Sequence, residues 1–151
     1  MTPWKVAASA LVVFAAGCAS SPAPVAVTSP EWIEPGQAVL AAAAEPKKGV
    51  TGVFVMTVKA MGRVDDVLYL NSEEDYRDPR NISIEVFPDA AAQLERNLGA
   101  TPDMALRAKR ILVSGTARRT RIGFFVGNRP TGEYYYQTHV RVNQASQIQI
   151  L

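Results

Sequence analysis

The sequence has one cysteine and one histidine among its 151 residues, and its formal net charge is only +2. A single cysteine excludes an internal disulfide and a zinc site built from cysteines. So small a net charge does not by itself indicate a polyanionic partner. The sequence also lacks a Gly-rich phosphate loop, a His-Glu-x-x-His motif, a nucleophile elbow and an internal repeat. These absences argue against the familiar enzyme classes, and nothing in the sequence indicates a cofactor or a metal.

Enough apolar residues are present to build a core. Hydrophobic residues make up 48% of the chain, which excludes a wholly disordered protein. The length fits one domain with tails rather than two domains.

The longest apolar segment lies at the N-terminus, at residues 6–16. It is about half as long as the ~20 residues that a bilayer-spanning helix needs, and it has the length of a signal-peptide core. Small residues follow it, ending at Cys18. We therefore predict a signal peptide over residues 1–17. The alternatives are an ordinary secretory signal that happens to contain a cysteine and, less simply, an N-terminal membrane helix.

Ala15, Ala16, Gly17 and Cys18 together resemble the lipobox of bacterial lipoproteins, with Ala15 in place of the usual leucine. The resemblance implies cleavage before Cys18 and lipidation of its thiol, so that acyl chains such as palmitate anchor the protein to a membrane. Ala19 follows the cysteine instead of aspartate. By the sorting rule of enteric bacteria, this implies the outer membrane, facing the periplasm, although the inner membrane remains open.

Residues 18–48 are rich in proline and alanine, which predicts a flexible tether. Within it, residues 37–45 favour a short or frayed helix. From Gly49 onward, short alternating runs and turn residues predict a β-rich domain over residues 49–151.

The predicted elements of this domain follow from apolar alternation and turn residues. Gly62 and Arg63 are predicted to form a hairpin turn, and residues 127–132 a turn-rich loop. Ser83 and Glu85 are predicted to lie on the exposed face of a half-buried strand. The strands are predicted at residues 50–61, 64–71, 81–87, 111–125, 134–142 and 147–151, and helices at 88–98 and 101–108.

The order of three strands, a helix and two strands resembles the OB-fold, a partly open five-stranded barrel with a helix between strands 3 and 4. The resemblance covers residues 49–151 and is strongest with OB-fold modules of poorly characterised exported bacterial proteins. The segments that carry it are residues 67–71, 76–81, 111–115 and 146–148. It implies a mainly-β fold with an OB-like barrel after the signal peptide and tether. The rival fold is another small all-β sandwich with one helix.

Charge is distributed unevenly along the domain. Residues 65–95 contain nine acidic and two basic side chains, whereas residues 96–141 contain nine basic and two acidic ones. The basic half either pairs with the acidic half or binds an anionic partner.

The densest basic cluster is Arg118, Arg119 and Arg121, predicted to face the tyrosines around Tyr135 across a hairpin, with His139 nearby. Arginine beside exposed aromatic rings is typical of single-stranded nucleic-acid binding and also suits lipid phosphates. The alternative is a solvated hairpin end whose aromatic rings pack on one another. His139, as a lone histidine, is more typical of a surface or groove residue than of a general base.

A second candidate patch contains Tyr69, Tyr76, Arg77 and Arg80, which the OB-fold resemblance places near the usual ligand groove. The alternative is a structural loop held against the barrel. The acidic residues in the same loop lack the spacing of a calcium-binding loop and indicate a solvated loop.

These observations predict a non-enzymatic lipoprotein of the cell envelope that acts as a binding or assembly module. Its expected partners are a membrane, through the lipid anchor, and an envelope protein. The alternative function is binding of single-stranded nucleic acid or another polyanion through the same residues.

Overall fold

The computed structural model describes residues 31–151. The predicted signal peptide, Cys18 and the first part of the predicted tether lie outside these residues. The helices are α1 (Pro35–Ala44), α2 (Pro88–Leu98) and α3 (Pro102–Leu106), with a 3₁₀ turn at Ala145–Gln147. The strands are β1 (Val50–Thr57), β2 (Ala60–Val64), β3 (Val67–Asn71), β4 (Ile82–Val86), β5 (Arg110–Val126), β6 (Arg129–Val142) and β7 (Ile148–Ile150). The prediction of a mainly-β fold is confirmed.

The strands form one sheet in the order β1-β5-β6-β4-β3-β2, and β7 pairs with β5. β4 and β6 run parallel, and the other pairs are antiparallel. β1 and β2 lie at opposite ends of this order, yet only Val58 and Lys59 separate them along the chain. The backbone N–H of Val58 donates to Lys109 and that of Lys59 donates to Asn71, each at 2.9 Å. The chain thus passes from the β1 end of the sheet to the β2 end within two residues.

The core lies on one face of this curved sheet. Its large side chains come from every long strand because alternate residues point inward. Burial of each such side chain contributes about 1.5–3 kcal/mol. The fully buried set includes Phe54, Met56, Leu68, Leu70, Ile82, Ile84, Ile111 and Val113. Helix α2 adds Ala90, Ala91 and Leu94 and ends, as predicted, at Gly99 with a positive φ of 65°.

The segment before Gly49 is packed against the domain, which the tether prediction did not anticipate. Ala38 and Ala42 of α1 are completely buried in the core. Ile33 adds backbone hydrogen bonds to β1, since its N–H donates to Val53 at 2.9 Å and its carbonyl accepts from Val55 at 3.1 Å. The packed unit therefore begins upstream of the predicted boundary at residue 49.

Two turn predictions are wrong. The β2–β3 turn is formed by Asp65 and Asp66, with φ of 48° and 66°, whereas Gly62 and Arg63 lie within β2. Aspartate tolerates this left-handed conformation better than most residues, so no glycine is needed. The β5–β6 connection is a two-residue turn at Gly127 and its neighbour, not a loop over residues 127–132. Both strands are consequently longer than predicted.

The prediction that β4 is half-buried is also wrong, because all five of its residues are buried. Ser83 and Glu85 do point away from the apolar core, as predicted, but other side chains cover them. Within residues 31–151, no helix is long and apolar enough to cross a membrane.

Candidate functional site

The ends of β5 and β6 project beyond the rest of the sheet. The pairing of β1 with β5 stops at Ala117, and the pairing of β4 with β6 begins at Thr138. Residues 120–126 and 129–137 therefore pair only with each other, and we call this two-stranded ribbon the hairpin arm. An isolated two-stranded hairpin is at best marginally stable in water, so side-chain pairs must hold the arm together.

One face of the arm and its base carries alternating arginines and tyrosines: Arg119, Tyr136, Arg121 and Tyr134, which we call the Arg–Tyr ladder. The guanidinium carbon of Arg119 lies 3.7 Å from the ring centroid of Tyr136, and that of Arg121 lies 4.1 Å from that of Tyr134. The two tyrosine rings meet edge to face at 5.5 Å. Each cation–π contact at an exposed site contributes about 0.5–1 kcal/mol. The predicted position opposite the tyrosines is confirmed for Arg121, which pairs with Tyr136, whereas Arg119 pairs with Thr138 and Arg118 with His139.

The tip of the arm is apolar and exposed. Phe124, Phe125 and Val126 are 44%, 63% and 75% exposed, in that order. The Phe124 ring packs on Tyr135 at 5.4 Å, on the face opposite the ladder. A Cβ added at Gly123 would meet the Phe125 ring at 3.6 Å, which places Phe125 on the ladder face. The aromatic contacts anticipated as the alternative to ligand binding are thus present, but the tip itself is uncovered.

A groove with a cavity volume of about 560 Å³ lies on the opposite face, between the β2–β3 hairpin and the arm. Its walls combine apolar, aromatic and basic side chains. They include Met61, Arg63, Tyr69, Tyr76, Ile122 and Tyr135. Burial raises the pKa of Tyr69 and of Tyr135 above the usual value, so both hydroxyls stay neutral at physiological pH.

The floor of the groove is a chain of hydrogen bonds centred on His139. Its Nδ1 lies 2.7 Å from Oε1 of Glu85, and its Nε2 lies 2.6 Å from Oε1 of Gln137. The amide nitrogen of Gln137 donates to the backbone carbonyl of Tyr76 at 3.3 Å and contacts the Tyr135 hydroxyl at 2.8 Å. His139 therefore joins β6 to β4 through Glu85 and, through Gln137, to the loop after β3.

Glu85 is the counter-charge of this floor. The hydrogen bond from His139 is the main cause that lowers the pKa of Glu85 below its usual value, and it outweighs the opposing effect of burial. Arg141 helps, because its Nε donates to the second carboxylate oxygen at 3.1 Å. Tyr69 lies edge-on to the imidazole, with ring centroids 6.2 Å apart.

The loop after β3 is attached to the sheet by Asn81, which is buried. Its Nδ2 donates to Asn71 at 3.2 Å and to the Tyr76 carbonyl at 3.3 Å, and its Oδ1 accepts from the backbone N–H of Glu73 at 3.1 Å. These contacts match the alternative interpretation of a structural loop, although Tyr76 also lines the groove.

The two arginines of this loop interact within it. Arg77 donates to the Tyr76 hydroxyl from two nitrogens, at 3.2 and 3.1 Å. Arg80 donates to Asp78 at 3.0 and 2.7 Å, which lowers the pKa of that carboxyl to about 2. Both arginines are exposed and lie outside the groove lining.

The predicted site residues thus fall into separate groups rather than one patch. Tyr69, Tyr76, Tyr135 and His139 meet in the groove. Arg119 and Arg121 lie on the ladder face. Arg118 lines a smaller pocket of about 350 Å³ beside His139 and donates to the Lys47 carbonyl at 3.3 Å.

Sequence reasoning missed several residues of this region, among them Glu85, Gln137, Arg141, Ile122 and Phe125. Gln137 and Arg141 could have been found, because both alternate with His139 along β6 and so share its face. Glu85 could not, because its contact with β6 depends on the parallel pairing of distant segments.

Ion pairs between the acidic and basic halves are few in the described residues. They are limited to Glu85 with His139 and Arg141. Arg118, Arg119 and Arg121 form no ion pair with any residue of 31–151. The charge asymmetry is therefore not explained by internal pairing of this cluster. In the same residues, no group of three or more potential ligands is placed to hold a metal ion.

No protein-family model matches the chain, and no curated protein matches it in sequence.

Proposed function

We propose that this protein is a non-enzymatic binding module of the bacterial cell envelope, built on an OB-like barrel and anchored by a lipid on Cys18. The envelope location rests on the sequence of residues 1–18, with a short apolar segment that ends in small residues and the single cysteine. The outer membrane, facing the periplasm, is the proposed site because Ala19 follows the cysteine.

Three observations support the OB-like barrel. First, β1 and β2 count as one bent strand if the two residues between them are a kink, which leaves five strands apart from the short β7. Second, the third and fifth of these strands, β4 and β6, pair in parallel. Third, α2 lies between the third and fourth strands. Together these features match a five-stranded barrel with its helix in the OB position.

The observation that carries the binding function is the groove. In OB-folds, ligands bind across the second and third strands of the barrel, between two flanking loops. These two strands correspond to β3 and β4 when β1 and β2 are counted as one strand. Here the groove lies over Tyr69 of β3 and Ser83 of β4, with the β2–β3 hairpin on one side and the arm on the other. Its elongated boundary of two hairpins suits an extended ligand, such as a peptide segment of an envelope protein.

The floor supports binding rather than catalysis. Both ring nitrogens of His139 and both carboxylate oxygens of Glu85 are engaged in hydrogen bonds within the protein. A general base must reach its substrate, whereas the Glu85 and His139 side chains are largely buried and held by contacts within the protein. The same bonds fix the floor and so reduce the ordering cost of binding.

Site-specific photo-crosslinking in bacteria that produce the protein tests this function. A p-benzoylphenylalanine at Val64, which lines the groove and is 60% exposed, is expected to form a discrete adduct with an envelope component. The control position is Met104, which is 79% exposed and lies outside the groove lining. We expect the Val64 adduct to disappear when Tyr69→Ala and Tyr135→Ala are added. Equal adducts at both positions, or an adduct insensitive to the tyrosines, would contradict the proposal.

Binding of single-stranded nucleic acid is the second candidate, and the Arg–Tyr ladder favours it. Arginines without ion pairs beside aromatic rings neutralise phosphates and stack on bases. Titration with a labelled oligodeoxythymidylate at low and physiological salt, with heparin as charge control, tests it. Binding that prefers the oligonucleotide, survives physiological salt and weakens with Tyr134→Ala or Tyr136→Ala would support this candidate. Equal binding to both polyanions that vanishes with salt would exclude it.

A further inference from the structure

The hairpin arm presents an apolar tip and a basic face that the groove function does not use. Phe125 and Val126 are the most exposed large apolar residues of the tip, at 63% and 75%. They lie at the end of a ribbon that pairs with no other strand of the described residues. Clustered exposed apolar side chains at a projecting tip are typical of an interaction surface rather than of a solvated loop.

The ladder face next to this tip positions two arginines so that they can bind anions. The rings of Tyr134 and Tyr136 hold the guanidinium groups of Arg121 and Arg119 over their faces, while the guanidinium N–H groups remain available at the edges. Neither arginine has an ion-pair partner in residues 31–151. The arm contains Arg121, Arg129 and Glu133, and Arg118 and Arg119 lie at its base, so the arm and its base together have a net charge of +3.

We propose that the ladder face and the tip of the arm dock on the surface of an anionic phospholipid bilayer. Phe125 and Val126 enter the region between the headgroups and the acyl chains. The tyrosines of the ladder lie at the interface, which their ring and hydroxyl favour. The arginines bind lipid phosphates and gain from the negative surface potential. This surface is distinct from the groove, and the inference does not depend on the groove ligand or on the lipid anchor.

The positive charge of the ladder and the exposed apolar tip favour a membrane over a nucleic acid as the partner of the arm. A nucleic acid would use the faces of Tyr134 and Tyr136 for base stacking, but the arginines already cover one face of each ring. A nucleic acid offers bases that stack on Phe125, but it has no apolar layer that covers Phe125 and Val126 together. An anionic bilayer offers both phosphates for the arginines and an apolar layer for the tip.

A polarity-sensitive fluorophore at the turn tests the proposal in the full chain. We would place it on Asn128→Cys in a Cys18→Ala background, so that only one thiol is labelled and no lipid is attached. The control is the same label on Met104→Cys. Met104 lies before the start of β5, and the tip lies at the end of this strand, whose 17 residues extend over up to about 50 Å. The vesicles are phosphatidylcholine alone and a 7:3 mixture of phosphatidylcholine and phosphatidylglycerol, at about physiological salt.

We expect a blue shift and brightening of the label at residue 128 with the phosphatidylglycerol vesicles and not at residue 104. Arg119→Ala and Arg121→Ala are each expected to weaken this binding about fivefold. Phe125→Ser is expected to weaken it about tenfold or more, because an aromatic side chain no longer enters the interface. Inorganic phosphate alone is expected to leave the fluorescence unchanged, which separates a bilayer from a free anion.

Three results would overturn the proposal. One is an equal response at residues 128 and 104, which would indicate binding through another segment of the chain. Another is the absence of a response at residue 128 with anionic vesicles while circular dichroism shows a folded protein. The third is a response to single-stranded DNA and not to vesicles, which would assign the arm to nucleic acid.

Discussion

Nδ1 of His139 lies 2.7 Å from Oε1 of Glu85, and this contact connects β6 to β4 across the floor of the groove. It places a hydrogen-bonded pair where the side chains are only 7% and 11% exposed. Arg141 binds the second oxygen of the same carboxylate. Glu85 therefore accepts hydrogen bonds from two residues of β6, and its replacement removes both contacts.

We predict that Glu85→Gln lowers the free energy of unfolding by about 2–3 kcal/mol, because the largely buried carboxylate loses its charge-assisted hydrogen bonds with His139 and Arg141. Urea denaturation at neutral pH measures this change. The matched control is Glu74→Gln, at an exposed residue that forms no ion pair within residues 31–151, and it is expected to change stability by at most about 0.5 kcal/mol. Equal effects of the two substitutions would show that the pair does not support the fold.

The same carboxylate makes stability depend on acid pH. The pKa of Glu85 is lowered in the folded protein relative to its usual value of 4.5, so the folded state favours the ionised form. Its contribution is present above the unfolded pKa and is lost as pH falls through the lower folded pKa. We expect the free energy of unfolding to decrease below about pH 5 and to do so less steeply in Glu85→Gln.

Asp78 provides the comparison for this pH experiment. Its pKa is also lowered, to about 2, by Arg80, but Arg80 is exposed and Asp78 is only half-buried, so solvent weakens this pair. Asp78→Asn is therefore expected to leave most of the acid dependence in place. A pH profile changed by Asp78→Asn and unchanged by Glu85→Gln would contradict the assignment.

Local patterns predicted the elements whose signals lie close together in sequence. Alternation gave the β5–β6 hairpin, and Pro88 with Gly99 marked the ends of α2. The packing of α1 escaped prediction because a run of alanines has no amphipathic contrast. The close approach of Ile33 to Gly52 of β1 also escaped it, because the two residues belong to different segments. A Cβ at Gly52 would lie 2.7 Å from Cδ1 of Ile33.

The site was also predicted only in part, because alternation assigns the faces of one strand but does not predict contacts between strands that are distant in sequence. Side chains on one strand, such as Tyr135 and His139, could be assigned to one face from alternation alone. The burial of Glu85 depends on a parallel partner more than fifty residues away in sequence, and a charged residue in an alternating strand ordinarily indicates an exposed face. The tip residues were included in a strand, but nothing in the sequence indicated that this strand extends beyond its neighbours.

A further prediction concerns the junction between α1 and the sheet. Gly49 has a φ of 72°, and a Cβ there would collide with the backbone carbonyl of Ala117, which cannot move away as a side chain can. We expect Gly49→Ala to lower the free energy of unfolding by about 2–3 kcal/mol. Gly36→Ala is the control, since nothing lies within 4 Å of its Cβ position. Thermal denaturation of both variants compares them, and a stable Gly49→Ala protein would contradict the close approach.

The last prediction concerns the rigidity of the hairpin arm, which depends on side-chain pairs because neither strand has another partner beyond Ala117 and Thr138. Replacement of Tyr134 and Tyr136 by alanine removes both cation–π contacts and the ring contact between them. We expect the local opening free energy of the arm to fall by about 1–2 kcal/mol.

Hydrogen–deuterium exchange measures this change residue by residue. Amides of residues 120–126 that pair within the arm are expected to exchange about five- to thirtyfold faster. Amides of Ile111 and Val113, which lie in the part of β5 paired on both sides, are expected to keep their protection. Glu133→Ala is the matched control on the arm, because Glu133 forms no ion pair in residues 31–151 and its replacement leaves the ladder intact. Faster exchange throughout β5 would instead show that the ladder stabilises the whole sheet, whereas unchanged exchange in the arm would show that its backbone pairing suffices without the ladder.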